Sequence, residues 1–456
     1  MARLSTRHSY DMTSGPLLPQ LFQFSLPLIA SSLLQLLYNA ADVAVVGQFS
    51  GAEALAAVGS TGSLINLLVN LFIGLSLGGN VIIAHAHGAG DHQGIRKAVH
   101  TTISLALISG VAVMILGVLA SRPLLHLMGS PDDVIDLASL YMTIYFLGMP
   151  ANMLYNFGAG ILRAVGDTRR PLLYLAVSGL VNVALNLLLV IVFRMGVAGV
   201  AIATVVSQIM SASFVIIYLI RTEGFIHLDL RSLRIDRHYM LQILRVGLPA
   251  GIQSMLFNIS NVLIQSSVNA QGSTVMAGNA AGANIEGFVY VIMNAFAQAA
   301  LTFSSANRGA RQYARVRRVL LVSLGTVAVL GLAVGLTVLS LGEKLLAIYN
   351  TDPNVIQMGM VRMSIILPTY FICGLMDVTA SQMRGVGYSI LPMIVSLTGA
   401  CLFRIIWIAT VFAANPAMPI LYISYPISWT LTFLAHLGCY LFAALPKLRK
   451  QGLEQA

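Results

Sequence analysis

Three acidic side chains fall inside otherwise apolar stretches: Asp42, Glu286 and Asp377. A carboxylate in a helix apolar enough to cross a bilayer is costly, and is kept where ions or protons are handled. Asp42 has Gln35, Tyr38 and Asn39 one to two helical turns before it, and a later stretch carries Asn182 and Asn186, four apart and so on one helix face. A carboxylate with amide oxygens around it suits coordination of a hard monovalent cation. The same carboxylate, part-buried, also suits a proton carrier. The competing reading is that the asparagines only tie neighbouring helices together.

The other intramembrane acids are candidates for contact with a transported molecule. Met255, Phe257, Phe288, Tyr290, Met293 and Met376 have the adaptable, apolar character of a promiscuous pocket, though residues at such spacing also serve plain packing. Glu286, Asp377, Met255, Phe288 and Met293 are therefore the substrate candidates of the second half. Arg404 reads as the lone base within a span, and Asp377 is its candidate partner. His85 and His87, two apart, point to different helix faces, and His92 and His100 complete no ligand set, so no metal is expected beyond a sodium ion at Asp42. Cys373, Cys401 and Cys439 lie in apolar stretches and read as packed thiols. No phosphate-cradling loop, HExxH or GxSxG occurs, which argues against an enzyme, a cofactor and direct ATP drive.

The elements that position these residues are membrane spans. With 57% hydrophobic and 9% charged residues, a chain of 456 residues carries more apolar surface than a soluble core of this length hides. Apolar runs long enough to cross a bilayer lie near 17–48, 55–83, 98–120, 134–157, 171–193, 197–220, 240–270, 275–305, 319–341, 356–380, 389–413 and 418–445, twelve in all. The polar start leads into a span longer than a signal's apolar region, so the first helix is expected to be retained. Arg and Lys concentrate at Arg3 and Arg7, Arg96-Lys97, Arg163 to Arg170, Arg221 to Arg245, Arg308 to Arg318, Arg384 and Lys447 to Lys450, whereas the opposite loops hold only Arg122, Arg194, Lys344 and Arg362. The positive-inside rule then places both termini in the cytoplasm of a plasma, or bacterial inner, membrane. It also explains the net charge of +10 without nucleic acid, since no aromatic interleaving accompanies the basic blocks. Gly74 to Gly79 sits within a span and reads as a site of close helix packing.

The chain is duplicated. Shifted by 221 residues, Leu124-Leu125 meets Leu345-Leu346, Arg163 meets Arg384, Gly166 meets Gly387, Pro171 meets Pro392, and Arg96-Lys97 meets Arg317-Arg318. A constant offset that includes Gly, Pro and Arg of polar loops is the mark of a repeat. Six spans per half make the repeats parallel, as in transporters with lobes related by an axis along the membrane normal. The expected domains are a six-helix lobe over 1–220, a cytoplasmic loop over 221–239, and a second lobe with a short tail over 240–456. Asp42, Glu286 and Asp377 break the symmetry, facing Leu263, Ile65 and Asn156 at the same offset, which favours function over scaffold.

The opening LPLIASSLLQLLYNAADVAVVG, then AHAHGAGDHQGIRKA, LRAVGDTRRP, NVALN and GVAGVAIATVVSQ resemble the multidrug and toxic compound extrusion (MATE) transporters over nearly the whole chain. The resemblance implies two six-helix bundles about a cleft that alternates between membrane faces. It also implies export of amphipathic, often cationic, small molecules in exchange for Na+ or H+; separately, the protein is expected to act as a monomer in contact with lipid. The family's cation-binding positions fall on Asp42, Asn182, Asn186 and Thr204, and its tenth-helix acid on Asp377. Some members carry an acid where Asn186 stands, so the choice between proton and sodium is open. Many carry a seventh-helix acid, which Gly247 to Gln271 lacks. The alternatives are a lipid-precursor flippase or narrow-specificity metabolite exporter of the same superfamily, a channel, and a membrane-embedded enzyme.

Overall fold

The computed structural model describes residues 11–127 and 132–453. Arg3 and Arg7 of the basic pattern lie outside the described residues. Among the described residues the regular structure is helical: α1 (Leu17–Phe49), α2 (Ala52–Gly88), α3 (His92–Leu127), α4 (Asp132–Leu147), α5 (Met149–Ala164), α6 (Arg169–Leu187), α7 (Gly196–Arg221), α8 (Arg237–Asn269), α9 (Ser273–Gly309), α10 (Tyr313–Ser340), the short α11 (Gly342–Tyr349), α12 (Pro353–Ile366), α13 (Tyr370–Gly385), α14 (Ile390–Ser396), α15 (Phe403–Trp407), α16 (Met418–Cys439) and α17 (Leu445–Leu453). Among the described residues eleven stretches are long and apolar enough to span, and a twelfth is the pair α4 and α5, bent by 48° about Gly148. Pro150, near the start of α5, supplies no N–H to the preceding turn, which fits a break there. These are the twelve spans expected from the sequence, and the protein is a multi-pass membrane protein.

The duplication persists in backbone detail. The break between α4 and α5 has its counterpart between α12 and α13, where Leu367–Thr369 forms a single 3-10 turn around Pro368. α6 runs into a wide π turn at Leu188–Val192, and α15 into another at Ile408–Phe412. Gly166 and Gly387 both adopt positive φ, 85° and 93°. That left-handed geometry ends α5 and α13 and is easily reached only by glycine, which accounts for their alignment at one offset.

The described chain forms two compact units. Of the described residues, those within 30–255 form the first unit, and those within 12–29 and 256–453 the second. This division differs from the halves of the sequence because α1 and α8, 33 residues each, do not belong to one unit along their whole length. Within the second unit Phe22 and Phe24 of α1 meet Phe296 and Phe303 of α9 edge to face. Within the first, a Cβ at Gly74 of α2 would stand 2.3 Å from the Gly251 nitrogen of α8, so two backbones touch there, as the glycine-rich stretch led one to expect. The basic loop after α7 also docks on the first unit: the Asp229 N–H donates to His100 Nε2 (3.2 Å), the Asp236 N–H to Thr101 Oγ1 (3.1 Å), and Lys97 lies 3.8 Å from Asp236.

Candidate functional site

In the first unit three helices converge on Asp42. The turn LRAVGDTRRP sets α6: Asp167 accepts the Arg170 N–H (3.1 Å) and the Arg170 guanidinium, which also lies 4.5 Å over the Tyr218 ring of α7. One face of α6 then carries Asn182 and Asn186 to α1, and α7 brings Thr204. Asp42 is 8% exposed and Asn186 fully buried. Asn186 Nδ2 donates to Asp42 Oδ1, and also approaches Asn182 Oδ1 at 3.3 Å. Thr204 Oγ1 is 3.4 Å from Asp42 Oδ2 and 3.0 Å from the Val200 carbonyl, with one proton to donate between them. Asn182 Nδ2 is 3.5 Å from Thr204 Oγ1.

The result is an acid ringed by two amides and a hydroxyl, with Asn186 Oδ1 buried and lacking a donor. Such an oxygen-rich cluster can take up a proton on the carboxylate, or a small cation once Asn186 turns its oxygen inward. Asp42, Asn182, Asn186 and Thr204 thus come together. The supporting residues do not join them. Tyr38 donates to the Ala176 carbonyl of α6 (3.2 Å), and Gln35 and Asn39 are exposed.

The second unit departs from the expectations in three respects. Arg362, assigned to an outer loop, is a buried residue of α12, and Glu286 is its partner: Nε to Oε1 is 3.0 Å and Nη2 to Oε2 is 2.7 Å. A run of hydropathy does not separate a loop arginine from one whose charge is met inside the fold, although the stretch 356–380 already contained it. Arg362 also donates to Asn279 Oδ1 (2.8 Å), which accepts the Tyr422 hydroxyl (3.1 Å).

Asp377 is not paired with Arg404. It accepts the Tyr290 hydroxyl (3.1 Å), which Asn294 approaches at 3.3 Å, while Arg404 donates from Nε to Ser428 (2.9 Å). Met293, 1% exposed, is plain core packed against Gly331 and Gly374, and Met376 is buried as well. Phe288 is 40% exposed and Met255 half-buried. Among the described residues no group of three His, Cys, Asp or Glu is placed to hold a metal.

A duplicated bundle of twelve spans with charged and polar residues buried at mid-helix is the architecture of a membrane transporter. The MatE family model matches residues 27–188 and again 249–410, and the chain belongs to that family of transporters, not enzymes. The probable multidrug resistance protein YoeA of Bacillus subtilis is 27% identical over 433 residues, 92% of each chain. The FAD transporter of Shewanella oneidensis is 24% identical over 352 residues, 76% of this chain and 78% of that one. A solved outward-facing multidrug resistance MATE transporter matches with a TM-score of 0.89 at 22% identity, over 96% of this chain and 98% of that one.

Proposed function

We propose that the protein is a secondary antiporter that exports amphipathic, chiefly cationic, drugs or metabolites in exchange for Na+ or H+ by alternating access. The observation that carries this reading is the cluster of Asp42, Asn182, Asn186 and Thr204. An intramembrane carboxylate with no cationic partner among the described residues is where a coupling ion neutralises charge. Binding that ion more tightly in one transport state than in the other is sufficient for exchange; equal affinity would shift nothing. The multidrug resistance names of relatives support drugs as cargo, and the FAD transporter supports a second reading, a narrow-specificity metabolite exporter. The cytoplasmic placement of the termini and action as a monomer belong to the same proposal.

The test is efflux of ethidium from proteoliposomes under a sodium gradient and, separately, a proton gradient, with Asp42→Asn in parallel. Transport under one gradient, lost in the variant while the protein remains folded, identifies the ion and its site. Undiminished gradient-driven efflux by Asp42→Asn refutes the coupling role.

A further inference from the structure

The turn from α2 to α3 and the turn from α9 to α10 have one backbone design. In the first, the Gly90 and Asp91 N–H groups donate to the His87 and Ala86 carbonyls; in the second, those of Arg311 and Gln312 donate to the Arg308 and Asn307 carbonyls. Gly90 and Arg311 both adopt left-handed φ, 68° and 59°. The residues, however, differ in one direction. Gly90, Asp91 and Gly94 are met by Arg311, Gln312 and Arg315, so the net charge rises from +1 over 88–97 to +4 over 309–318. Two of these changes act against local stability. An arginine meets the side-chain clash of a left-handed backbone that glycine escapes. Asp91 caps α3 by accepting the Gly94 N–H (2.8 Å), whereas Gln312 makes no side-chain cap on α10.

What the second turn gains is charge that the fold does not neutralise. Arg311, Arg317 and Arg318 are exposed, and among the described residues no carboxylate lies within ion-pair distance of them. Arg315 donates to the Ser14 and Gly15 carbonyls, which carry no full charge. In the first unit, by contrast, Lys97 has Asp236 (3.8 Å) and Arg170 has Asp167. Glu343 and Asp352 of the second unit follow the far end of the 28-residue α10, about 40 Å along the helix. The last helix enlarges the basic belt: α17 packs on α10, and Leu448, 4% exposed, shares a core with Val316, Val319 and Leu320. Lys447, 5.8 Å over the Tyr388 ring, and Arg449 flank that anchor. The positive-inside rule accounts for Arg317-Arg318, which match Arg96-Lys97, but asks for none of the added arginines.

We infer that Arg311, Arg317, Arg318, Lys447 and Arg449 form a binding surface for the headgroups of anionic phospholipids, present on the second unit and not on the first. α9 and α10 are both spans, so the turn between them lies at headgroup depth. Leu321, 57% exposed, is one turn inward of Arg317 and Arg318 on the same helix face, and Phe442, 86% exposed, precedes Lys447. An acyl chain thus has apolar surface to lie on directly below the charges, which a soluble acidic partner would not use. The inference does not depend on the exporter reading, which assigns this face no task.

The experiment counts, by native mass spectrometry, the lipids retained by the delipidated full chain in detergent as dioctanoyl phosphatidylglycerol or dioctanoyl phosphatidylcholine is added. Both carry a phosphate, and only the first has a net charge. The wild type is expected to prefer phosphatidylglycerol. Arg311→Gly/Gln312→Asp gives the second turn the residues of the first, and is expected to lower that affinity about thirtyfold, the effect of two charge units at a membrane surface. Phosphatidylcholine binding should not change. Because this variant restores a glycine at positive φ and a cap, it is expected to unfold in phosphatidylcholine nanodiscs at or above the wild-type temperature, which separates lost binding from lost folding. Arg234→Gln/Arg237→Gln takes the same charge from exposed positions of the first unit and, being screened from the belt, is expected to change the affinity by less than about threefold. Equal wild-type affinity for the two lipids, undiminished binding by Arg311→Gly/Gln312→Asp, or equal loss in the two charge-matched variants overturns the assignment. Displacement of phosphatidylglycerol by an equal concentration of inorganic phosphate also overturns it, by showing a site for a soluble anion.

Discussion

The Asn186 amide donates to the Asp42 carboxylate across 144 positions of sequence, while its own carbonyl oxygen is buried with no donor facing it. A side chain so placed is half satisfied with the acid empty, and a bound cation would satisfy it with the amide reversed. Asn186→Leu keeps the volume but removes both groups, and is expected to lower gradient-driven efflux at least tenfold while leaving thermal unfolding within a few degrees of the wild type. Flux assays on protein matched for folded fraction check this; wild-type flux in Asn186→Leu would detach the amide from coupling.

The same pair suggests what an added acid does. Asn186→Asp places two carboxylates within hydrogen-bond distance, and like charges so close share a proton. Efflux by this variant is expected to follow the pH gradient and to be independent of sodium, whichever ion drives the wild type. Flux compared at fixed pH with and without sodium decides it, retained sodium drive being the contrary result.

Much of this site was readable in the chain because its parts are local. The four-residue spacing of Asn182 and Asn186 declares a shared face, and Asp42 stands out in an apolar helix. The twelve spans and the repeat were readable for the same reason, since apolar length and the glycines that end α5 and α13 are properties of short segments. What the sequence hides is tertiary partnership. Glu286 and Arg362 are 76 positions apart on separate helices, and only packing shows that one cancels the other. Gln35 and Asn39 mislead for the opposite reason: helical proximity to Asp42 does not turn a side chain towards it.

Tyr38 fills the space over Gly179 so closely that a Cβ there would fall 1.8 Å from the ring. Gly179→Ala is therefore expected to separate α1 from α6 and to destabilise the protein by about 1–3 kcal/mol, the usual cost of overpacking. Tyr38→Ala in the same chain removes the clash and should restore part of the loss. A double-variant cycle of thermal unfolding in detergent measures it, and additive losses would contradict the contact.

The Glu286–Arg362 pair makes a different demand. Both members are buried, and Asn279 and Tyr422 complete the network around the guanidinium. Glu286→Gln leaves Arg362 without its counter-charge, which typically costs about 3–5 kcal/mol, whereas replacing both partners by apolar residues is often close to neutral. Glu286→Gln is thus expected to unfold at markedly lower temperature than Glu286→Leu/Arg362→Met. If instead the double variant proves no more stable than the single, the pair contributes by packing and not by charge. Ethidium efflux on the same two proteins separates roles: a stable double variant that still transports shows that Glu286 supports the fold, while one that is stable but inactive places the ion pair in the transport cycle.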